Sequence, residues 1–482
     1  MIILLIASIF SEGYGMHDDH FLIIETASSW ADGEDYNRWL PWNQTDVEVP
    51  YAKGHSFTYP GFIYVIIKGL QSISIKDPKI QMIFIRLIQS LFWIIAIRIS
   101  FKITEKIGTQ TAAKKVGWLL TIGAFIPFLA VRNLVEMTCI PFLMLGIWHT
   151  LKSEKWHSFL LAGIYFGIAC SVRYQVVLFV GVYGLIMPFK FGLKNCIYTL
   201  IGLVGTLLLT QGLVDYLIWG RPFEEFNAYR AYNDSDHKYD YAKDMGGIGY
   251  ITYFIILTNI SIPVIGLFYW WGMIKNWKKY LLLLLPFLVF VAFHSYYPNR
   301  QERFIFPMIP IFLIIGISGW ELVRSKSDFW MNRPKLWRKL TTPFIVITFV
   351  IGIASAFVST KKSRIDSAYF LYGKENTSLI VKEHPNADTP MSPMHYAKKW
   401  NTPSPNYSTK TLAEKIKKVP NFKPRYIFSY SETKFNKRFS EIKVLYPDAK
   451  IVETCNPSWF DKLLFWLNPR GNKNEVIRII ET

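Results

Sequence analysis

The sequence predicts an all-α polytopic membrane protein that carries a small α/β domain at its C-terminal end. Three observations lead there. Of the 482 residues, 51% are hydrophobic and 17% aromatic, with a mean hydropathy of +0.20, which is more apolar than an ordinary globular domain. Runs such as "CIYTLIGLVGTLLLTQGLVDYLIW", "YLLLLLPFLVFVAF" and "FIFPMIPIFLIIGISGW" have the length of bilayer-crossing helices and are separated by short polar loops. The Lys and Arg behind the net charge of +19 cluster in alternate loops, at 98–115, 152–155, 190–194, 275–279 and 324–339. The positive-inside rule places those loops on the cytoplasmic face and accounts for the charge without a nucleic-acid partner.

Taken in order, the first run "MIILLIASIF" has no basic residue ahead of it and no small-residue cleavage pattern, so it reads as a short, retained first helix. It exits near Glu12, which makes residues 12–79 a first outer loop with juxtamembrane helices. The moderately apolar segment 59–73 must lie along the interface or re-enter, because a full crossing there would put the basic cluster 98–115 on the wrong side. One span over 80–100 then reaches that cluster, and continued alternation gives about eleven transmembrane helices, two short ones falling between Trp156 and Phe189. Four stretches share the outer face: 12–79, the turn at Arg132 and Asn133, 220–249, and 296–303. The membrane domain is expected over 1–358. From Lys361 onward no spanning run occurs, and "TSLIVKEH", "RYIFSYSE" and "AKIVETC" read as strands around an amphipathic helix in "TKFNKRFSEIKVLYP". Residues 361–482 are therefore expected to form an α/β domain on the outer, extracytoplasmic face. Cys139, Cys170, Cys196 and Cys455 do not make a disulfide framework, since three lie in or beside membrane segments.

The chemically distinctive residues lie in the outer stretches. His17, Asp18, Asp19 and His20 follow the first helix, with Glu25 beyond them and "HSFTYP", which contains Tyr59, further on. Adjacent carboxylates at a membrane surface repel one another and are costly to desolvate, so they suit metal binding, a cationic partner or proton chemistry. An ordinary solvated loop is the plain alternative, and a zinc site lacks third and fourth ligands at a recognisable spacing. In "HSYYPNRQERFIFP", His294, Asn299, Arg300, Glu302 and Arg303 sit at a membrane edge. One such arginine is usually a snorkelling anchor; two beside a carboxylate suit a phosphate group, to which guanidinium offers paired donors and a permanent charge. "WGRPFEEFNAYRAYN" places Arg221 and Glu225 among aromatics, a mixture that fits either a sugar or interfacial packing. Arg132 and Arg173 interrupt apolar sequence, where charge marks a site or an internal pair. Glu136 offers Arg132 an i,i+4 partner, whereas Arg173 has no carboxylate within a turn.

These groups together fit transfer of a sugar from a polyprenyl-phosphate carrier to a hydroxyl, with a carboxylate as base and cations on the departing phosphate. Attack opposite the leaving group inverts the anomeric centre. A transporter or flippase of lipid-linked sugars is the alternative, but it would call for paired repeats or broken helices in both halves, and the sequence has no such symmetry. A non-catalytic scaffold would leave the acidic loop without purpose.

The same residues carry a resemblance. The chain resembles the glycosyltransferase family 22 mannosyltransferases, the group of the GPI-anchor and dolichol-linked-oligosaccharide α-mannosyltransferases, whose members share the GT-C membrane fold. "HDDHF" with Glu25 is similar to that family's HPDE element followed by an aromatic and a later glutamate; "HSFTYP", "VRNLVEM", "GIYFGIACSVRYQ" and "HSYYPNRQERFIFPMIP" follow in family order over about residues 1–325. The family's proline and glutamate stand here as Asp18 and His20, which leaves Asp19 matched to the family aspartate. The resemblance therefore implies Asp19 as base, with Asp18 or Glu25 in reserve, and Arg303, Arg300, His294 and Arg173 toward the donor phosphate. It implies His17, His20, Tyr59, Arg221, Glu225, Asn299 and Glu302 around the substrates. In the late motif Asn299, Arg300 and Gln301 replace the family's His, Lys and Glu, while Glu302, Arg303 and Phe304 match. The implied donor is a polyprenyl-phosphate hexose, with mannose expected, and the implied acceptor is a lipid-linked or other outer-face glycan or glycolipid. No protein metal ligands are assigned and divalent-metal dependence stays open. The host membrane would be a bacterial plasma membrane with a periplasmic site, or the ER membrane with a lumenal one.

Overall fold

The computed structural model describes residues 1–239, 249–261, 263–375, 379–419, 422–469, 472 and 474–482. The expected outer stretch 220–249 runs into residues 240–248, and the first strand reading begins at Thr377 and Ser378; those positions lie outside the described residues. The chain forms two compact units. One comprises 1–10, 38–62 and 84–357, and the other 11–37, 63–83 and 358–482.

The first unit is helical. Five helices are long and apolar enough to cross a membrane among the described residues: Pro78–Ile107, Leu193–Trp219, Trp277–Tyr296, Glu302–Lys326 and Pro334–Ser355. The first of these starts in the other unit's segment 63–83. Other expected crossings are shorter helices, among them Gln110–Ile122, Trp156–Val172 and Val176–Phe191. Burial separates their roles. The apolar window of Glu302–Lys326 is 89% buried, so that helix is the core, whereas that of Pro334–Ser355 is 22% buried and presents its apolar side chains outward, as a lipid-facing helix does. Close packing needs glycine at the crossing of Trp156–Val172 with Leu193–Leu207. A Cβ on Gly163 would stand 2.0 Å from the Thr199 carbonyl oxygen, and one on Gly202 2.3 Å from that of Leu160. Small residues let helix backbones approach in this way in membranes.

The second unit contains a five-stranded sheet, β1 (Ile380–Glu383), β2 (Asn406–Tyr407), β3 (Tyr426–Tyr430), β4 (Lys450–Cys455) and β5 (Ile477–Glu481). The order is β2-β1-β3-β5-β4, parallel across β2-β1-β3 and antiparallel on both sides of β5. The strands read from the sequence are β1, β3 and β4; β2 and β5 are additional. Helices Thr409–Lys418 and Phe435–Leu445 pack on one face through Leu412, Phe435 and Ile442 against Val381, Ile427 and Ile480. Ser408 caps the first of them reciprocally with Thr411. Residues 11–37 and 63–83 belong to this unit, so the acidic loop is built on the same body as the sheet.

Candidate active site

In the first unit, two arginines distant in sequence meet one carboxylate. Arg173 follows the helix Trp156–Val172 in an extended conformation. Arg303 lies in the 3-10 turn Glu302–Met308, and Glu136 in the first turn of Val135–Lys152, where a helix N-terminus favours negative charge. Arg173 Nη2 is 2.9 Å and Arg303 Nε 3.6 Å from Glu136 Oε1, with the carboxylate fully buried and the guanidinium side chains 12% and 5% exposed. Both guanidiniums also lie over the Phe304 ring, at 5.0 and 5.7 Å. Gln301 Oε1 accepts from Arg303 Nε at 2.8 Å, and the Gln301 carbonyl accepts from the Tyr253 hydroxyl, which anchors the residue that holds the arginine. Two guanidiniums against one carboxylate leave this trio with a net positive charge.

Phe304 and the buried His294 border a cavity of about 340 Å³ that is also lined by Tyr174, Tyr229, Asn233 and Tyr297. The His294 ring stacks on Phe290 at 4.1 Å, and its Nδ1 donates to the Phe290 carbonyl at 2.8 Å. The aromatics and the Asn233 amide are of the kind that hold a sugar or isoprenoid. Arg300 donates to the Ser295 carbonyl and stacks on Tyr250, Asn299 accepts from Gln301, and Glu302 is exposed. Arg221 is exposed and paired with Glu224 at 2.9 Å.

Two further candidates are tied into the scaffold of the same unit. Glu225 Oε2 accepts from the backbone N–H groups of Gly54 and His55 at 2.7 and 3.1 Å, and Oε1 from the Trp219 indole. Burial pushes its carboxyl up to about 7 against the pull of those N–H donors. Tyr59 donates to Asn133 Oδ1 at 2.5 Å and accepts from Gln89.

The acids of the first loop lie in the second unit. Residues Asp19–Ile24 form a π-helical turn that runs into the helix Glu25–Ala31, a local irregularity frequent at functional sites. The chain enters it through Gly13, whose φ of +98° suits only glycine and whose Cβ would stand 1.9 Å from the Thr360 carbonyl oxygen. Asp19 is buried, while the half-buried Asp18 and the exposed His17 stand 3.7 Å apart. His20 is stacked between Tyr14 at 4.4 Å and Tyr396 at 5.8 Å, and its Nε2 is 3.6 Å from Glu25 Oε1. Burial lowers the His20 imidazole to about 3, with help from Lys361 and His17. Burial also raises the Glu25 carboxyl well above its usual range, although the His395 and Met394 N–H groups oppose it. Burial thus favours the uncharged form of both groups, the neutral imidazole and the carboxylic acid.

Sequence reasoning missed the residues that hold this loop. His395 Nδ1 accepts from the Ser28 hydroxyl at 2.8 Å, and its Nε2 donates to the Pro78 carbonyl at 3.2 Å. Lys398 donates to Ser28 and to Asp32, and Trp400 donates to Asp32 at 2.8 Å. The stretch "MHYAKKW" has no periodicity to mark it; its only signal is a clustering of polar and aromatic types. Among the described residues no group of three or more His, Cys, Asp or Glu side chains is placed to hold a metal ion.

Residues 2–374 match the model of the Alg9-like mannosyltransferase family. The chain belongs to that family. It is an integral membrane glycosyltransferase, as the family and its apolar helices show. No curated protein sequence matches significantly. Among solved structures, ArnT from Cupriavidus metallidurans bound to undecaprenyl phosphate is similar at a TM-score of 0.62 and 12% identity, over 100% of this chain and 96% of that one. The Archaeoglobus fulgidus oligosaccharyltransferase tethered to an acceptor peptide is similar at 0.57 and 10% identity, over 92% of this chain and 70% of that one. At such identities the likeness shows the fold, which is the GT-C architecture expected from the sequence. The family match ends before "MHYAKKW", so the clamp on the first loop lies beyond it.

Proposed function

We propose that this mannosyltransferase-family member is an inverting enzyme that moves a hexose, mannose in the first instance, from a polyprenyl-phosphate donor to a lipid-linked or other extracytoplasmic glycan. The gathering of Arg173 and Arg303 on the buried Glu136 carries the reading. Paired guanidiniums in a desolvated setting stabilise the charge that a departing phosphate develops. Fold neighbours bound to undecaprenyl phosphate and to dolichol-phosphate support the same donor class.

In this reaction Asp19 takes the proton of the acceptor hydroxyl as that oxygen attacks the anomeric carbon. The bond from that carbon to the phosphate oxygen breaks on the opposite face, and polyprenyl phosphate leaves against Arg173 and Arg303, with Arg300 and His294 nearby in sequence and role. Burial favours the protonated form of Glu25, so the base is assigned to Asp19, with Asp18 or Glu25 in reserve. Glu225 and Tyr59 shape the outer loops, while His17, Asn299, Glu302 and Arg221 are left to contact the acceptor or donor sugar. The membrane is a bacterial plasma membrane with a periplasmic site, or the ER membrane with a lumenal site. Residues 361–482 form the extracytoplasmic domain appended to the membrane enzyme.

The test compares two variants of purified protein. Asp19→Asn is expected to keep the folded protein and abolish transfer; unchanged turnover removes Asp19 from its role. Arg303→Ala is expected to raise the donor KM more than the acceptor KM, and an equal loss for both makes Arg303 a structural anchor.

A further inference from the structure

Away from the candidate active site, the first unit carries a second cavity, on the face that loop charge assigns to the cytoplasm. Its volume is about 570 Å³, and it opens between the helices Gln110–Ile122, Pro263–Lys275, Ile309–Lys326 and Pro334–Ser355. From Pro334–Ser355 the lining residues include Pro334, Trp337, Arg338, Thr341, Ile345 and Phe349. Their spacing of three to four residues makes one continuous stripe along the helix, roughly 22 Å long at 1.5 Å per residue. The stripe changes character along its length, from cationic and indole-lined near the helix start to purely apolar at Ile345 and Phe349. Trp118, 61% exposed, faces Phe349 at 6.2 Å and continues the apolar wall.

The polar end is cationic. Lys115, Arg324 and Arg338 line it. Glu321 accepts from Lys115 and, at 2.7 Å, from Arg324, so one carboxylate is shared by two cations. Arg324 Nε is buried without a hydrogen-bond partner among the described residues. Arg338 is exposed and makes no ion pair with them. The loop around it, 324–339, holds six Lys or Arg against Asp328 alone.

We propose that this groove is a binding site for an anionic glycerophospholipid, distinct from the donor-sugar site. The headgroup phosphate meets Arg338 and Arg324 at the membrane boundary, and one acyl chain lies along Trp337, Ile345, Phe349 and Trp118. Charge complementarity at one end and a lipid-length apolar stripe leading from it favour this occupant. Basic pockets between membrane helices at this depth suit anionic headgroups, while a zwitterionic lipid would place its ammonium among the same cations. The site does not depend on the proposed sugar transfer.

Native mass spectrometry of the purified full chain, equilibrated with equal phosphatidylglycerol and phosphatidylcholine, reads the preference directly. Wild type is expected to retain phosphatidylglycerol selectively. Arg338→Ala should lower that selectivity about fivefold, the effect of one basic residue near an anionic lipid, and Arg338→Lys should keep most of it. Ile345→Trp, which fills the apolar end and touches no charge, should reduce retention of phosphatidylglycerol. Equal retention of both lipids by wild type, or unchanged selectivity in Arg338→Ala and unchanged retention in Ile345→Trp, overturns the proposal. Displacement of phosphatidylglycerol by equimolar polyprenyl phosphate, without the reverse, also overturns it by making the groove a carrier site.

Discussion

Replacing Glu136 perturbs two arginines at once. Its carboxylate is fully buried, 2.9 Å from Arg173 and 3.6 Å from Arg303, and both guanidiniums are nearly excluded from solvent. Glu136→Ala removes the carboxylate that both arginines approach and leaves like charges facing one another in a desolvated site. Breaking a buried pair from one side costs about 3–5 kcal/mol. Glu136→Gln keeps the shape and one acceptor oxygen, so the charge-assisted contact to Arg173 falls to a neutral one, a loss of about 1–2 kcal/mol. Reversible unfolding in mixed micelles measures both values. A double-mutant cycle of Glu136→Gln with Arg173→Met is expected to give a coupling of about 1–2 kcal/mol, against a smaller coupling with Arg303→Met, whose contact is longer. If both cycles are additive within about 0.5 kcal/mol, the carboxylate does not organise the arginines and the reasoning behind the phosphate site is wrong.

Other expectations follow from the second unit. His20 is held near 3 by burial, below its ordinary 6.5, so its share of stability is present above that ordinary value and is lost as pH falls from about 6.5 toward 3. His20→Phe, which preserves the stacking on Tyr14, should flatten the stability profile in that window; an unchanged slope places the imidazole in water. Glu25 is raised, so its contribution is complete below about 4.5 and fades as pH rises toward its folded value. Glu25→Gln should remove that decline. Trp400→Ala takes away a nearly buried indole and a hydrogen bond to Asp32. Truncating a core tryptophan costs about 3–5 kcal/mol, and amide exchange over residues 25–37 should accelerate; exchange at the wild-type rate shows that the clamp does not hold the loop. Gly163→Ala should prevent close approach of its two helices and lower thermal stability, with Gly181→Ala, which meets nothing within 4 Å, as the neutral control.

The sequence made the membrane character, the span read over 80–100 and found within Pro78–Ile107, and three strands of the C-terminal sheet legible because each depends on local periodicity or length. β2, two residues long, has no such signal, whereas β5 carries one in its Ile-rich run Ile477–Ile480. The charged pairs show the limit more sharply. Spacing offered Glu136 to Arg132, but the i,i+4 rule needs both residues in one helix. Arg132 is extended, at φ −74° and ψ 143°, between the helices Ile126–Val131 and Val135–Lys152. The carboxylate instead receives Arg173 and Arg303, the first of which had no acid within a turn. The acids near residue 19 were visible as a cluster, yet the N–H groups that draw on Glu25 and the ring stacked on His20 come from residues 394–396, more than 350 positions away in the chain. Local patterns locate charge; tertiary packing decides which form it takes.

The most direct measurement is single-turnover transfer by purified protein from a panel of radiolabelled polyprenyl-phosphate sugars, run beside the corresponding nucleotide sugars. Label is expected to leave a polyprenyl-phosphate hexose, mannose foremost, with polyprenyl phosphate released and the anomeric configuration inverted. Label leaving only a nucleotide sugar, or a retained configuration, contradicts it.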